Sequence, residues 1–339
     1  MALRIGLMGF GRIGRNILRQ VAERDDIRVT AIADLGDPQS MAYLFTWDTI
    51  YKKFRGKVHL DGRHLEAGRQ RARLLKGARP ADMPWDAYEV DVVVEATHNF
   101  RTRAELQGHI DAGARRVLLT APALDPIDRT LVHGVNHDAL RPEDRIISCA
   151  SATSHVLGIM LKILDESLGV RHAMMTTVHA YTSDQKLSDA VAENLRRSRS
   201  AAENLIPNWS WAPQVVGDLI PHLKGHIDGL AINVPVPNGS NVDLVTRLSR
   251  EADADRVNAV LREAAGGPYA RWLQYATQPL VSSDVIGSSH SAVFDSLATV
   301  SLKGGLVKTV TWYDNGWGYA ARLVETLEAI AGFPKEGRA

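Results

Sequence analysis

Residues 146–155 read Ile-Ile-Ser-Cys-Ala-Ser-Ala-Thr-Ser-His: an apolar run, a small polar turn, then a helical pattern from Val156 to Leu161. Ser151 or Thr153 can cap that helix. A side chain in its first turn meets exposed N–H groups and the positive end of the helix dipole. A thiol placed there would be acidified and made nucleophilic. The position best suited to it holds Ala152, a methyl group. The frame of a nucleophile site is present and the nucleophile is not. Cys149 lies three residues upstream; a different backbone path would be needed to bring it to the helix start. Its plain reading is a small buried thiol.

A second chemical signal opens the chain. Gly9-Phe10-Gly11-Arg12-Ile13-Gly14 follows the short apolar run Leu3–Met8, and Ile13, Ile17, Leu18 and Val21 then fall at helical spacing. Strand, glycine turn and helix together give a GxGxxG pattern its meaning. The first glycine permits the turn, the second lets backbone approach a pyrophosphate, and the third lets helix and strand pack closely. The helix N-terminus holds the anion. Asp34, 20 residues after Gly14, ends a second strand over 29–33. A carboxylate there accepts hydrogen bonds from adenosine ribose and repels a 2′-phosphate, so NAD is expected over NADP. Thr97 and Thr120 follow two further strands, at 92–95 and 117–120, and are cofactor-contact candidates or ordinary turn residues.

These residues need a scaffold. Strands alternating with helices through the first half predict a Rossmann-type, doubly wound parallel sheet, an α/β fold. After residue 152 the pattern changes to a long helix, strands over 174–181, 229–236, 242–248, 291–301 and 306–313, and one helix near 253–264. That grouping predicts an α+β domain with a mostly antiparallel sheet. A final helix over 319–331 sets Leu323, Leu327 and Ile330 on one face. The chain's 339 residues fit two domains. A net charge of +1 gives no bulk field for nucleic acid or membrane surfaces, and no apolar run approaches a membrane span. One cysteine excludes internal disulfides and fits a reducing cytoplasm. No zinc-like spacing is present and no metal is expected.

Several motifs, in order, resemble the phosphorylating glyceraldehyde-3-phosphate dehydrogenase family over nearly the whole chain. They are GFGRIGR at Gly9–Arg15, GVNH at Gly134–His137, TTVHAYTSDQ at Thr176–Gln185, RSRSAAENLIP at Arg197–Pro207, VPVPN at Val234–Asn238 and WYDNGWGY at Trp312–Tyr319. The erythrose-4-phosphate dehydrogenases share this plan. The resemblance implies an NAD-binding domain over 1–151 and 318–339, a catalytic domain over 152–317, and a homotetramer. It implies that His179 is the acid/base and that Asn315 holds the nicotinamide carboxamide. It also implies that residues 183–203 form a loop shaping neighbouring cofactor sites. Ser151, Thr153, Thr182, Arg199, Ser210, Trp211 and Asn233 then line the substrate site, with Arg196 a further anion-site candidate.

The departures from the family fall at the chemistry. Its SNASCTTNC motif is here SCASATSHV, so the catalytic cysteine aligns with Ala152, an upstream asparagine with Cys149, and the asparagine after the paired threonines with His155. A phosphate-binding arginine aligns with Asn233, a threonine-glycine pair at the second anion site with Ser210-Trp211, and a glycine after the fourth strand with His98. Losing an arginine removes a bidentate fork, and an indole in place of glycine closes backbone access to an anion. Three readings stay open. Ala152 is an introduced substitution in an ordinary enzyme; or the protein carries out cysteine-free hydride transfer with His179 as base; or it binds NAD without turnover, in a regulatory or scaffolding role. The leading reading is an NAD-dependent oxidoreductase acting on a small-molecule aldehyde or alcohol with an altered phosphate pocket.

Overall fold

A computed structural model of the chain describes residues 2–334. These divide into two compact units. The first holds the chain up to Leu131, then His137–Ala150, then the chain from Ala320 onward; the second holds Val132–Asn136 and Ser151–Tyr319.

The first unit is built on a nine-stranded sheet. In chain order its strands are β1 (Leu3–Met8), β2 (Ile27–Asp34), β5 (Val58–Asp61), β6 (His64–Ala67), β7 (Gln70–Lys76), β8 (Val92–Glu95), β9 (Arg116–Leu119), β10 (Arg129–Thr130) and β11 (Ile146–Ser148), with a separate hairpin of β3 (Trp47–Asp48) and β4 (Lys52–Lys53). Their spatial order is β10-β11-β9-β8-β1-β2-β7-β6-β5. Every pairing from β10 to β7 is parallel, and β6 and β5 add an antiparallel edge. The central strands read as continuous apolar runs because both faces are covered: Val92, Val93 and Val94 are fully buried. Helices α1 (Arg12–Val21), α2 (Pro38–Thr46) and α3 (Arg103–Asp111) connect these strands. Asp37 caps α2 through Gln39 and Ser40, and Thr102 and Glu105 form a reciprocal capping box on α3. Under the sheet, Gly6 leaves room for the buried Trp85 ring; a Cβ there would come within 2.7 Å of it.

The second unit carries a seven-stranded sheet made of β12 (Val170–Ala180), β13 (Ile206–Asn208), β14 (Ile227–Val234), β15 (Ser240–Leu248), β16 (Leu273–Ala276), β17 (Ala292–Leu302) and β18 (Leu306–Tyr313), in the order β13-β14-β12-β15-β18-β17-β16. It is mostly antiparallel, with β12–β14 and β16–β17 parallel. Its main helix, α4 (Ala152–Leu168), is apolar on nearly every side and accordingly buried, followed by α5 (Ala212–Leu219) and α6 (Ala254–Gly266). Gly158 lets α4 approach Val132, Val135 and Val216 closely, and Gly169 ends the helix at φ +69°. The last helix, α7 (Trp317–Ala331), belongs to the first unit from Ala320, where Glu328 pairs with Arg24 at 2.5 Å. No helix among the described residues is long and apolar enough to cross a membrane.

Candidate active site

In the first unit the glycine turn has the backbone geometry that such a motif requires. Gly9 adopts φ +96°, in the left-handed region that a side chain would strain. Gly11, the residue before α1, makes no side-chain cap, and a Cβ there would meet nothing within 4 Å. An incoming anion therefore has open access to the first N–H groups of α1. A Cβ on Gly14 would come within 2.3 Å of the Gly9 carbonyl oxygen, so only glycine lets the helix lie this close. The Asp34 carboxylate is fixed by two backbone donors, Phe10 N at 2.7 Å and Gly36 N at 2.9 Å. Its remaining lone pairs suit ribose hydroxyls. This cradle fits a dinucleotide. Arg12 and Ile13 lie on the first turn of α1, half-buried.

Thr97 and Thr120 are both tied to Glu95. The Thr97 hydroxyl donates to the Glu95 carboxylate and accepts from Asn99 N at 3.1 Å. The Thr120 hydroxyl donates to the Glu95 carbonyl at 3.0 Å. Their hydroxyl protons are thus spent inside the turn. Glu95 itself is buried against His109 Nε2 at 3.1 Å, while Trp85 Nε1 donates to His109 Nδ1. His98, where the family has glycine, sits at φ +64°.

Asp34 gives the first testable consequence. Two cations, Arg63 and Lys76, line the hollow next to it, so the two cofactors need direct comparison. NAD is expected to bind at least tenfold more tightly than NADP in a fluorescence titration, because a 2′-phosphate would face the Asp34 carboxylate. Equal or tighter NADP binding would overturn that role for Asp34.

The second unit begins at the break after Ala150, which has φ +46°, a strained value for alanine. Ser151 is the cap of α4: its Oγ accepts from Ser154 N at 3.1 Å and meets Ser154 Oγ at 2.8 Å. Ala152 is the first helical residue and its methyl is partly exposed. The position therefore has the field of a 17-residue helix and no group that responds to it. Cys149 lies in the first unit, buried, with Sγ 3.7 Å from Thr326 Oγ1. Burial pushes its thiol up to about 12.

His179 lies near the end of β12. Its Nδ1 is 2.6 Å from the Ala180 carbonyl oxygen. Only an N–H is compatible with that contact, which makes Nε2 the acceptor nitrogen of the neutral ring. The Tyr313 ring meets the imidazole edge-on at 6.1 Å. Tyr313 OH bridges Thr153 Oγ1 at 2.8 Å and Thr177 Oγ1 at 2.9 Å. The start of α4 and the strand bearing His179 are thus tied through one buried phenol. Asn315 is oriented by Ser240, whose hydroxyl accepts from Ala180 N at 3.0 Å and donates to Asn315 Oδ1 at 3.1 Å. His155 is buried in the first turns of α4, with Nδ1 2.9 Å from Ser151 O and its ring stacked on His133 at 5.9 Å.

The remaining candidates surround Asn233. That residue is 6% exposed and lies directly opposite His179 in the β12–β14 register. Asn208 on β13 donates to its Oδ1 at 3.4 Å. Ser210 Oγ accepts from Ala212 N, and Trp211 precedes α5. Thr182 and Arg199 are engaged elsewhere: the Thr182 hydroxyl donates to Asp184, and Arg199 Nε pairs with Asp189 at 3.1 Å. Arg197 pairs with Asp184. Tyr313, Ser240, Asn208 and the two aspartates were not singled out by sequence reasoning. Tyr313 and Asp184 lay inside recognised motifs, but nothing in their residue types announced a bridging role.

Residues 3–103 match the model for the glyceraldehyde 3-phosphate dehydrogenase NAD binding domain, and residues 148–315 that for its C-terminal domain. Glyceraldehyde-3-phosphate dehydrogenase 2 of Streptomyces avermitilis is 42% identical over 327 residues, 96% of this chain and 97% of the relative. The Pseudomonas aeruginosa enzyme of that name is 42% identical over 334 residues, 98% and 99%. Glyceraldehyde-3-phosphate dehydrogenase 1 of Bacillus subtilis is 40% identical over 332 residues, 98% and 99%.

Proposed function

The chain belongs to the glyceraldehyde-3-phosphate dehydrogenase family, and from that premise we propose that it oxidises an alcohol or a hydrated aldehyde with NAD, without a covalent thiol intermediate. Aldehyde oxidation needs a tetrahedral carbon that can release hydride, and a thiolate ordinarily makes one. Ala152 has no thiol, and Cys149 is buried, which pushes its thiol up to about 12. A substrate whose carbon is tetrahedral on arrival, an alcohol or a gem-diol, removes that requirement. NAD, when bound, supplies the hydride acceptor. Gly9, Gly11 and Gly14 would receive its pyrophosphate, with Phe10, Arg12 and Ile13 shaping the same turn. Asp34 would hold the ribose, and Asn315, its Oδ1 fixed by Ser240, would offer Nδ2 to the carboxamide. His179 takes the substrate hydroxyl proton at Nε2 while the carbon gives up hydride. An alcohol becomes an aldehyde, and a gem-diol becomes a carboxylic acid.

The observation that carries this reading is the pairing of Ala152 on the first turn of α4 with a histidine whose tautomer leaves Nε2 as a base. The test is NADH formation from a panel of alcohols and aldehydes, with intact mass measured in parallel. Turnover with no acyl adduct on the chain, Cys149 included, is expected. An adduct on Cys149 would replace this mechanism with a covalent one. Cofactor binding without any turnover would leave a binding-only protein.

Assembly as a homotetramer is part of the same reading. Met174 and Leu230 stand exposed on neighbouring strands, on the sheet face opposite the buried Met175 and Thr177. Apolar groups grouped on one face favour a protein partner. Sedimentation should give a mass near four chains; a monomer would remove assembly from the proposal.

A further inference from the structure

Two exposed tryptophans stand just past the end of β13. Trp209 and Trp211 are 59% and 43% exposed, and their rings meet edge-to-face at 6.4 Å. They follow β13, which pairs with β14 at Ile206–Asn233, and β14 pairs with β12 at Asn233–His179. The aromatic corner leaves the sheet after Asn208, which pairs with Ala231 beside Thr177, so it starts two strand spacings across from β12 and two residues along it from the base, on the order of 12 Å. Asn208 connects the parts: its Oδ1 accepts from Trp209 N at 2.9 Å and its Nδ2 donates to Asn233.

The usual means of holding an anion are spent in this neighbourhood. At the start of α5, Ser210 takes the Ala212 N–H and Pro213 has none. Arg197 and Arg199 are paired with Asp184 and Asp189, and the Thr182 hydroxyl is turned onto Asp184. Arg196 remains an exposed cation on the segment. Asn233, nearest the base, is neutral and bridged to another amide. Two indoles at right angles beside a pair of neutral amides, with few available charges, suit an uncharged ring better than an anion.

Resting on the oxidoreductase reading above, we propose that the Trp209–Trp211 corner and the Asn208–Asn233 amide pair recognise the substrate, and that the substrate is an uncharged alcohol or aldehyde bearing an aryl group. The ring lies against the indoles and the amides meet a neutral polar group. A phosphorylated substrate finds indoles and neutral amides where it needs charged donors.

Binding and turnover must be read separately. Calorimetry and saturation-transfer NMR with 3-phenylpropan-1-ol, glycerol 3-phosphate and inorganic phosphate report recognition without hydride transfer. The aryl alcohol should bind saturably, and both phosphate probes at least tenfold more weakly. Trp211→Gly and Trp209→Ala should each weaken aryl binding by about tenfold, the equivalent of 1.4 kcal/mol. Both side chains are exposed, and unchanged circular dichroism and NAD affinity would verify that the variants fold. If the aryl alcohol binds with this variant response but is not oxidised, recognition stands and the oxidoreductase reading falls. If aliphatic alcohols are oxidised while aryl binding is absent or indifferent to both tryptophans, the aryl proposal falls and the oxidoreductase reading stands. Loss of the oligomer in Trp209→Ala with aryl binding unchanged would assign the corner to a subunit contact and overturn it. Tighter binding of either phosphate probe would do the same.

Discussion

Replacing His179 by alanine is expected to lower kcat by about 10²–10⁴, the usual contribution of a positioned general base. That corresponds to roughly 3–5 kcal/mol of transition-state stabilisation. The size follows from what the side chain has to do alone. With Ala152 on the first turn of α4, no thiolate shares the work, and the substrate hydroxyl must lose its proton as hydride departs. The imidazole is prepared for this by its surroundings. Nδ1 is committed to the Ala180 carbonyl at 2.6 Å, and Tyr313 holds the ring edge-on. KM should change much less than kcat, because the alanine variant keeps Asn233, Asn208 and both tryptophans. NAD affinity should be unchanged, since the alanine variant keeps Gly9–Gly14, Asp34 and Asn315. Added imidazole should restore part of the rate, which a loss of structure would not permit. A rate within threefold of the parent would place the base elsewhere.

The fold was legible where sequence period and turn chemistry agree. The strand–glycine–helix opening, the buried valines of β8 and the long α4 each carry a pattern with one reading. The antiparallel edge from β5 to β7 gave no such signal. Its strands are short, and charged residues such as Arg71, His59 and Glu66 alternate along them, so the segment reads as surface loop until β2 offers a partner. The cofactor cradle was legible because its demands fall on backbone, which glycine advertises. The substrate side was less so. Thr182 and Arg199 had the right types for anion binding, but their contacts with Asp184 and Asp189 were not legible, because a contact between loop side chains leaves no periodic trace. Tyr313 was hidden for a related reason: its bridge to Thr153 and Thr177 joins residues far apart in sequence. Asn233 was singled out by a missing arginine, while the amide partner that stabilises it, Asn208, came only from the β13–β14 register.

Restoring the thiol should not restore the family's substrate. The Ala152→Cys variant places a sulfur on the first turn of a 17-residue helix, where the dipole and exposed N–H groups favour thiolate. Yet glyceraldehyde 3-phosphate, NAD and inorganic phosphate should remain a poor combination for it. Asn233 offers a neutral amide where a guanidinium would give a paired, charge-assisted contact, and one hydrogen bond to a charged group contributes about 1.5–3 kcal/mol. Trp211 sets an indole where backbone would have to approach the second anion, and the first N–H of α5 is already taken by Ser210. If both losses act on the transition state and add, the deficit is roughly 3–6 kcal/mol, or two to four decades in kcat/KM. The two sites are neighbours, so full additivity fails and about two decades is the expected deficit. Asn233→Arg alone should recover little, because a guanidinium at a position 6% exposed must also break the Asn208 amide contact. Adding Trp211→Gly should recover more than either change alone, since one supplies the guanidinium and the other removes the indole. The assay is kcat/KM for the single, double and triple variants with and without phosphate. Efficient turnover by Ala152→Cys alone, unimproved by the arginine or the glycine, would mean that Arg196 or a rearranged Arg199 holds the phosphate after all.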